Sequence, residues 1–226
     1  MYLILFDIDG TLVLTGRAGM RAMNLACRDI VHADDAMLGV NFAGRTDWSI
    51  LDDVMRKYGR SLDAPLLDEL RRSYVRHLTD EIQHPGEGVK DVMPGIPELL
   101  GALAERDDVA LALLTGNFVE SARIKLEHFD LWKYFPCGAF GGDAASRNDL
   151  VPVAMTRARE SGIADVEPER VLVVGDTPND VECALVAGAR PIAVATGGYS
   201  MEDLRASGAD IVFRDLSDTE EFLKLL

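Results

Sequence analysis

Short apolar, β-rich runs alternate along this chain with longer stretches in which apolar residues recur at helical spacing. The short runs predict strands at 2–8, 109–115, 137–142, 170–175, 190–195 and 209–213. Val171-Leu172-Val173-Val174 is apolar without interruption, as expected of a strand covered on both faces. Helical spacing marks residues 96–106, through Ile96, Leu99, Leu100 and Leu103, and residues 118–129, through Val119, Ala122, Leu126 and Phe129. Near the end, Ser217-Asp-Thr-Glu220 reads as a capping box ahead of Phe222, Leu223 and Leu226. Strands that alternate with helices imply an α/β fold with a parallel sheet.

One interval breaks the alternation. Residues 13–92 carry no convincing strand and three amphipathic helices. The first presents Met20, Met23, Cys27, Ile30 and Val31, and the second Leu51, Val54, Met55 and Tyr58. The third opens at Asp63-Ala-Pro65 and presents Leu66, Leu70, Tyr74, Leu78 and Ile82. His84-Pro85-Gly86-Glu87-Gly88 and Pro94-Gly95 then punctuate the chain as a hinge would. The pattern therefore predicts an all-helical unit, 13–92, inserted directly after the first strand of a core made of 1–12 and 93–226.

Composition adds boundaries to this picture. With 48% hydrophobic and 27% charged residues, the 226-residue chain can bury a large core, which excludes disorder and low complexity. No stretch approaches the roughly 18 consecutive apolar residues of a membrane helix. Residues 2–6 run straight into Asp7 and Asp9 with no basic leader, so they read as a buried strand rather than a signal peptide. Cys27, Cys137 and Cys183 are an odd, widely spaced set without a CxxC, which argues against disulfides or zinc and for a cytosolic protein. The net charge of −15, from 23 Lys+Arg and 38 Asp+Glu, excludes a broad nucleic-acid surface. The excess is unevenly placed: residues 13–92 hold 11 basic and 13 acidic residues, and the other 146 hold 12 and 25.

The acidic excess contains the candidate chemistry. In Asp7-Ile-Asp9-Gly-Thr11 the two carboxylates stand two residues apart and project from the C-terminal end of the first strand, where open α/β sheets bind ligands. Two such buried acids cost several kcal/mol unless a cation joins them. The opening resembles a calcium loop, but the later acidic ligands are missing. Val174-Gly-Asp176-Thr177-Pro178-Asn-Asp180 places a second acidic pair after another apolar strand, with Thr177 and Pro178 as N-cap and first helical position. Charge complementarity at a helix N-terminus would by itself account for Asp180. Thr115-Gly116-Asn117 ends a third strand with a hydroxyl, a close-approach glycine and free amides, the ingredients of an anion site or simply of a turn.

Together these segments resemble the haloacid dehalogenase-like hydrolase superfamily: DIDGT matches its first motif, LLTGN its second and GDTPND its fourth. The helical insert is similar to that superfamily's type-1 cap, in the branch of phosphoglycolate phosphatase and β-phosphoglucomutase. The resemblance implies a Rossmann-like core and a nucleophile at Asp7 that forms an aspartyl-phosphate. It further implies Asp9 as general acid and base, Thr115 on a phosphoryl oxygen, and Gly116 and Asn117 as substrate-binding residues. Mg²⁺ is implied at Asp7, the Asp9 carbonyl and Asp176, with Asp180 orienting the metal or its waters. An acid at position 9 disfavours the dehalogenase reaction, whose halide departs without a proton. The superfamily usually places a Lys after the third strand, whereas this chain has none between Lys133 and Lys224. Arg147 is the expected substitute. Gly44-Arg45-Thr46-Asp47 resembles the specificity loop of phosphoglycolate phosphatase-like members, with Arg45 a candidate to meet a substrate carboxylate or hydroxyl, although a plain N-cap at Thr46 or Asp47 explains the rest. Arg17 and Arg21, near the first hinge, are weaker candidates.

The implied activity is Mg²⁺-dependent hydrolysis of a small, phosphoglycolate-like phosphomonoester by a cytoplasmic monomer or homodimer, with no nucleic-acid or membrane partner. The alternatives are a phosphomutase of the β-phosphoglucomutase type and a catalytically weak binding or regulatory protein.

Overall fold

The structure, a computed structural model, describes residues 1–144, 146–162 and 166–226; Ala145, in the stretch before Arg147, lies outside them. The strands are β1 (Tyr2–Phe6), β2 (Val13–Thr15), β3 (Lys90–Val92), β4 (Val109–Leu114), β5 (Gly138–Ala139), β6 (Val171–Gly175), β7 (Arg190–Val194) and β8 (Ile211–Phe213). The helices are α1 (Ala18–Val31), α2 (Asp47–Lys57), α3 (Ala64–Glu81), α4 (Ile96–Ala104), α5 (Val119–His128), α6 (Leu150–Glu160), α7 (Pro178–Val186), α8 (Met201–Ala206) and α9 (Thr219–Leu223).

Six strands form one parallel sheet in the order β5-β4-β1-β6-β7-β8. Side chains alternate across a strand, so each apolar run feeds two cores at once. Ile4, Phe6, Leu111, Leu113, Leu172 and Val174 face one layer, with the apolar sides of α4, α5 and α9. Leu3, Leu5, Ala112, Leu114, Val171 and Val173 face the other, with α6 and α7. The chain builds outward from β1 through β4 to β5, then returns to the far side of β1 with β6. That reversal opens a crevice beyond the C-terminal ends of β1, β4 and β6.

Helices α1, α2 and α3 form a separate apolar cluster that includes Met23, Leu51, Val54, Met55, Leu70, Tyr74 and Leu78. Phe118, which follows the β4 loop, is fully buried in that same cluster and pins it to the sheet. Burial of such a ring contributes about 1.5–3 kcal/mol. Three expectations are corrected here. The interval 13–92 does contain strand: β2 and β3, its two ends, pair antiparallel through Val13–Val92, Leu14–Asp91 and Thr15–Lys90. Three residues are too few to show a period of two, so pairing of the two crossing connections decides the conformation. The last helix is capped one residue later than expected, by Asp218, whose carboxylate accepts from the Glu221 amide at 2.9 Å. The third strand is also shorter than its apolar run, at Gly138–Ala139. Among the described residues no helix is long and apolar enough to cross a membrane.

Candidate active site at the strand tips

Four loops meet in the crevice. After β1 the chain turns tightly, with the Leu12 amide donating to the Ile8 carbonyl at 2.9 Å, and leaves Asp7 buried and Asp9 half-exposed at the tip. Residue 176, at the end of β6, reaches the same place: its Oδ1 accepts from Thr11 Oγ1 at 3.0 Å. Space there is tight enough to require glycine at 197, where a Cβ would stand 1.7 Å from Asp176 Oδ2. Thr177 and Asp180 form a reciprocal capping box on α7, as the Thr-Pro spacing predicts, and Pro178 is its first helical residue.

Carboxylate oxygens of Asp7, Asp176 and Asp180 lie within 4.8 Å of one another, all three residues buried. Burial pushes the Asp7 carboxyl up to about 6 against the pull of Arg147. Asp176 rises well above its usual range, through burial first and then through Asp180 and Asp7. A cluster of oxygen donors that resists its own ionisation fits a hard divalent cation such as Mg²⁺.

Arg147, buried in the turn before α6, is the arginine expected to replace the family lysine, and it sits among these acids. Its Nη2 lies 3.1 Å from Asp7 Oδ1, bonds Asp180 Oδ1, and reaches the Leu114 carbonyl at 3.4 Å. Its Nε is buried without a partner. Asp180 thus serves the cap of α7 and the acid cluster together, so the two readings of it are not exclusive.

The loop after β4 supplies Thr115, Gly116 and Asn117. Asn117 Nδ2 donates to Asp9 Oδ2 and to Thr115 Oγ1, both at 2.8 Å. Beside them lies a residue that the sequence reading missed. Lys125 of α5 is buried, and its ammonium donates to Asp9 Oδ1 (2.8 Å), Asp9 Oδ2 (2.6 Å) and Asn117 Oδ1 (2.6 Å). The available signal was the four-residue spacing of Asn117, Ser121 and Lys125, which puts the two helical members on one face of α5 below the β4 loop. Lys125 and Arg147 thus face four acids, Asp7, Asp9, Asp176 and Asp180, an excess of negative charge that a divalent cation would relieve.

Gly116 has a second task. Its carbonyl accepts from the Asp47 amide at 2.7 Å, and a Cβ on it would stand 2.0 Å from the Arg45 carbonyl oxygen. Segment 44–47 therefore lies directly on the β4 loop. Asp47 accepts from the Phe118 amide (2.9 Å) and from Ser121 Oγ (3.1 Å), and burial pushes its carboxyl up to about 6. Thr46 caps α2, and Asn179 Nδ2 donates to the Gly44 carbonyl at 3.0 Å. The backbone of Arg45 is at the site, but its guanidinium is held by Asp53 (2.6 Å) and the Ser49 carbonyl (3.0 Å). Arg21 is engaged by Glu81 at 2.6 Å, and the exposed Arg17 lies 3.7 Å from Glu87. A cavity of about 1070 Å³ lies between the acids and the helical unit, reached by Asp7, Asp9, Thr115, Lys125, Arg147 and Asp176 from the sheet side.

Known proteins resemble this chain in sequence and fold. Residues 1–188 match the family model of haloacid dehalogenase-like hydrolases. A phosphoglycolate phosphatase of Rhodospirillum rubrum is 32% identical over 224 residues, covering 97% of this chain and 90% of that protein. The crystal structure of a hydrolase from Pseudomonas syringae superposes with a TM-score of 0.71 at 23% identity, over 99% of this chain and 98% of the other. CbbY from Rhodobacter sphaeroides, solved in complex with phosphate, superposes at 0.70 with 25% identity over 96% of each chain. The chain belongs to the haloacid dehalogenase-like hydrolase family and resembles, along nearly its whole length, proteins named as phosphatases.

Proposed function

We propose that this protein is a Mg²⁺-dependent phosphomonoester hydrolase that acts on a small organic phosphate through an aspartyl-phosphate on Asp7. The observation that carries this reading is the convergence of Asp7, Asp9, Thr115, Arg147 and Asp176 on one wall of a cavity large enough for substrate. Asp7 and Asp176, with the Asp9 carbonyl, would hold the metal, and Asp180 would fix its surroundings. Bound there, Mg²⁺ supplies positive charge against the acids and the phosphoryl oxygens.

The Asp7 carboxylate attacks phosphorus, and the ester P–O bond breaks. Asp9 gives its proton to the departing alkoxide and then takes one from the water that cleaves the aspartyl-phosphate, so alcohol and inorganic phosphate leave and both aspartates are restored. Lys125 and Asn117 position the Asp9 carboxylate through the contacts described above. Arg147 positions Asp7 and offers its unpartnered Nε to an anion. Thr115 and the loop amides face the phosphoryl group. We assign residues 1–12 and 93–226 to a catalytic core and 13–92 to a cap, because the helices bury their own apolar cluster and join the core through β2 and β3. Contact of segment 44–47 with Gly116 excludes water during transfer. A cytoplasmic location accords with the three free cysteines.

Turnover of a phosphomonoester panel with and without Mg²⁺, on wild type and Asp7→Asn, tests the assignment. Metal-dependent release of phosphate by wild type and none by Asp7→Asn is the expected result. Equal activity in the two proteins would refute the role of Asp7, and activation by a sugar bisphosphate with isomer interconversion would replace hydrolase by mutase. Phosphoglycolate belongs in the panel because the relatives are named for it.

A further inference from the structure

Taking the phosphohydrolase reading as its premise, we infer that the leaving group of the substrate is an uncharged, largely apolar alcohol, and not a carboxylate-bearing fragment such as glycolate. The reasoning begins with what the helical unit presents to the cavity. Met20, Met23, Met37, Phe42 and Ile50 line it opposite the acids, and the exposed side chains of Leu38 and Val89 continue that apolar surface to its outer edge. Exposed large apolar residues at a cavity mouth carry a solvation cost that a bound apolar group removes. Met20, half-buried, offers an adaptable, polarisable contact, with Met23 and Met37 packed behind the wall.

The charges on the same wall point the same way. A second anionic group on the substrate needs a cation to replace its hydration. Among the described lining residues of the helical unit, Arg21 is paired with Glu81 at 2.6 Å and Arg45 with Asp53 at 2.6 Å, while the exposed Arg17 lies 3.7 Å from Glu87 at the cavity edge. Asp35 adds a negative charge to that side beyond these pairs. Lys125 is held by Asp9, and the unpartnered Nε of Arg147 is the nitrogen assigned above to the phosphoryl group. A carboxylate on the leaving group would therefore meet hydrocarbon or arginines that already face acids, whereas an alkyl or aryl body would meet matching surface.

The test compares kcat/KM with Mg²⁺ for methyl, butyl and hexyl phosphate and for phosphoglycolate, alongside binding of hexylphosphonate and phosphonopropionate by calorimetry. We expect kcat/KM to rise along the alkyl series, by up to about fourfold per methylene, and hexyl phosphate to exceed phosphoglycolate. Phe42→Ala, at a half-buried position, is expected to shrink the ratio of hexyl to methyl phosphate. A flat alkyl series, or phosphoglycolate preferred over hexyl phosphate, overturns the inference and leaves the hydrolase reading standing. If no ester is cleaved, the hydrolase reading falls instead. Binding then decides the ligand class: hexylphosphonate held more tightly than phosphonopropionate upholds it, and the reverse order overturns it.

Discussion

Arg147 makes its polar contacts to Asp7, Asp180 and the Leu114 carbonyl through a single terminal nitrogen. Three contacts from one nitrogen are within reach of an ammonium, which explains how arginine fits where the family resemblance leads one to expect lysine. Arg147→Lys is therefore predicted to keep kcat within about tenfold of wild type. Arg147→Ala leaves two buried carboxylates unpaired and is predicted to cost about 3–5 kcal/mol in denaturant unfolding of the metal-free protein, with loss of turnover. Equal stability of the Ala variant would remove Arg147 from the acid cluster. Lys125→Met keeps the apolar stem and removes the charge next to Asp9. It is predicted to lower kcat on the order of a hundredfold, with KM changed far less; unchanged kcat would assign Lys125 to structure alone. The acids were legible in the sequence because two carboxylates at a strand end have few structural explanations. Lys125 was not, because a lysine on a helix is ordinarily a solvated one, and only the fold brings α5 beside Asp9.

Element packing explains why the loop after β4 carries glycine at 116. A Cβ there would stand 2.0 Å from the Arg45 carbonyl oxygen, so Gly116→Ala must push segment 44–47 off the sheet. The expected cost is about 1–3 kcal/mol in stability, together with a fall in kcat/KM that increases with the size of the leaving group. An Ala variant with wild-type kinetics would show that this contact does not close the site. Asp47, in the same contact, brings a pH dependence of defined sign. Burial raises its carboxyl from the ordinary 3.8 to about 6, so between those values the folded chain keeps a proton the unfolded chain has lost. Stability from this group therefore falls as pH rises through that window and is lowest above it. Comparing unfolding free energies of wild type and Asp47→Asn isolates the effect: the wild-type advantage should shrink by on the order of 1–3 kcal/mol between pH 4 and pH 7. A pH-independent difference would contradict the burial of that charge. Periodicity located the helices around this contact, as α1, α2 and α3 bear out. It could not reveal β2 and β3, whose pairing is a tertiary event between residues 75 or more positions apart.

At the scale of the whole molecule, the charge of −15 is concentrated outside residues 13–92, and among the described residues the buried fraction of it at the strand tips has Lys125 and Arg147 as counter-charge. A metal-free protein should thus be destabilised by its own active site. Mg²⁺ at a hundred times its dissociation constant is predicted to add about 2.7 kcal/mol, and Asp176→Asn to lose most of that gain in a thermal-shift measurement. A Mg²⁺ response that survives Asp176→Asn would place the ion elsewhere. The alternation of strands and helices was enough to foresee the parallel sheet, and the sheet order explains why Asp7, Thr115 and Asp176, far apart in sequence, end at one crevice. How the helical unit meets that crevice depends on side-chain directions that no spacing encodes: Arg45 turns to Asp53 while its backbone reaches Gly116. The central claim is the covalent phosphoryl transfer to Asp7. Acid quench of the Mg²⁺-loaded protein during turnover of a radiolabelled phosphate ester, followed by peptide mapping, tests it directly. The account predicts a hydroxylamine-labile phosphate on the peptide containing Asp7, absent in Asp7→Asn; label on any other residue, or none while wild type turns over with the transfer step faster than hydrolysis, would contradict it.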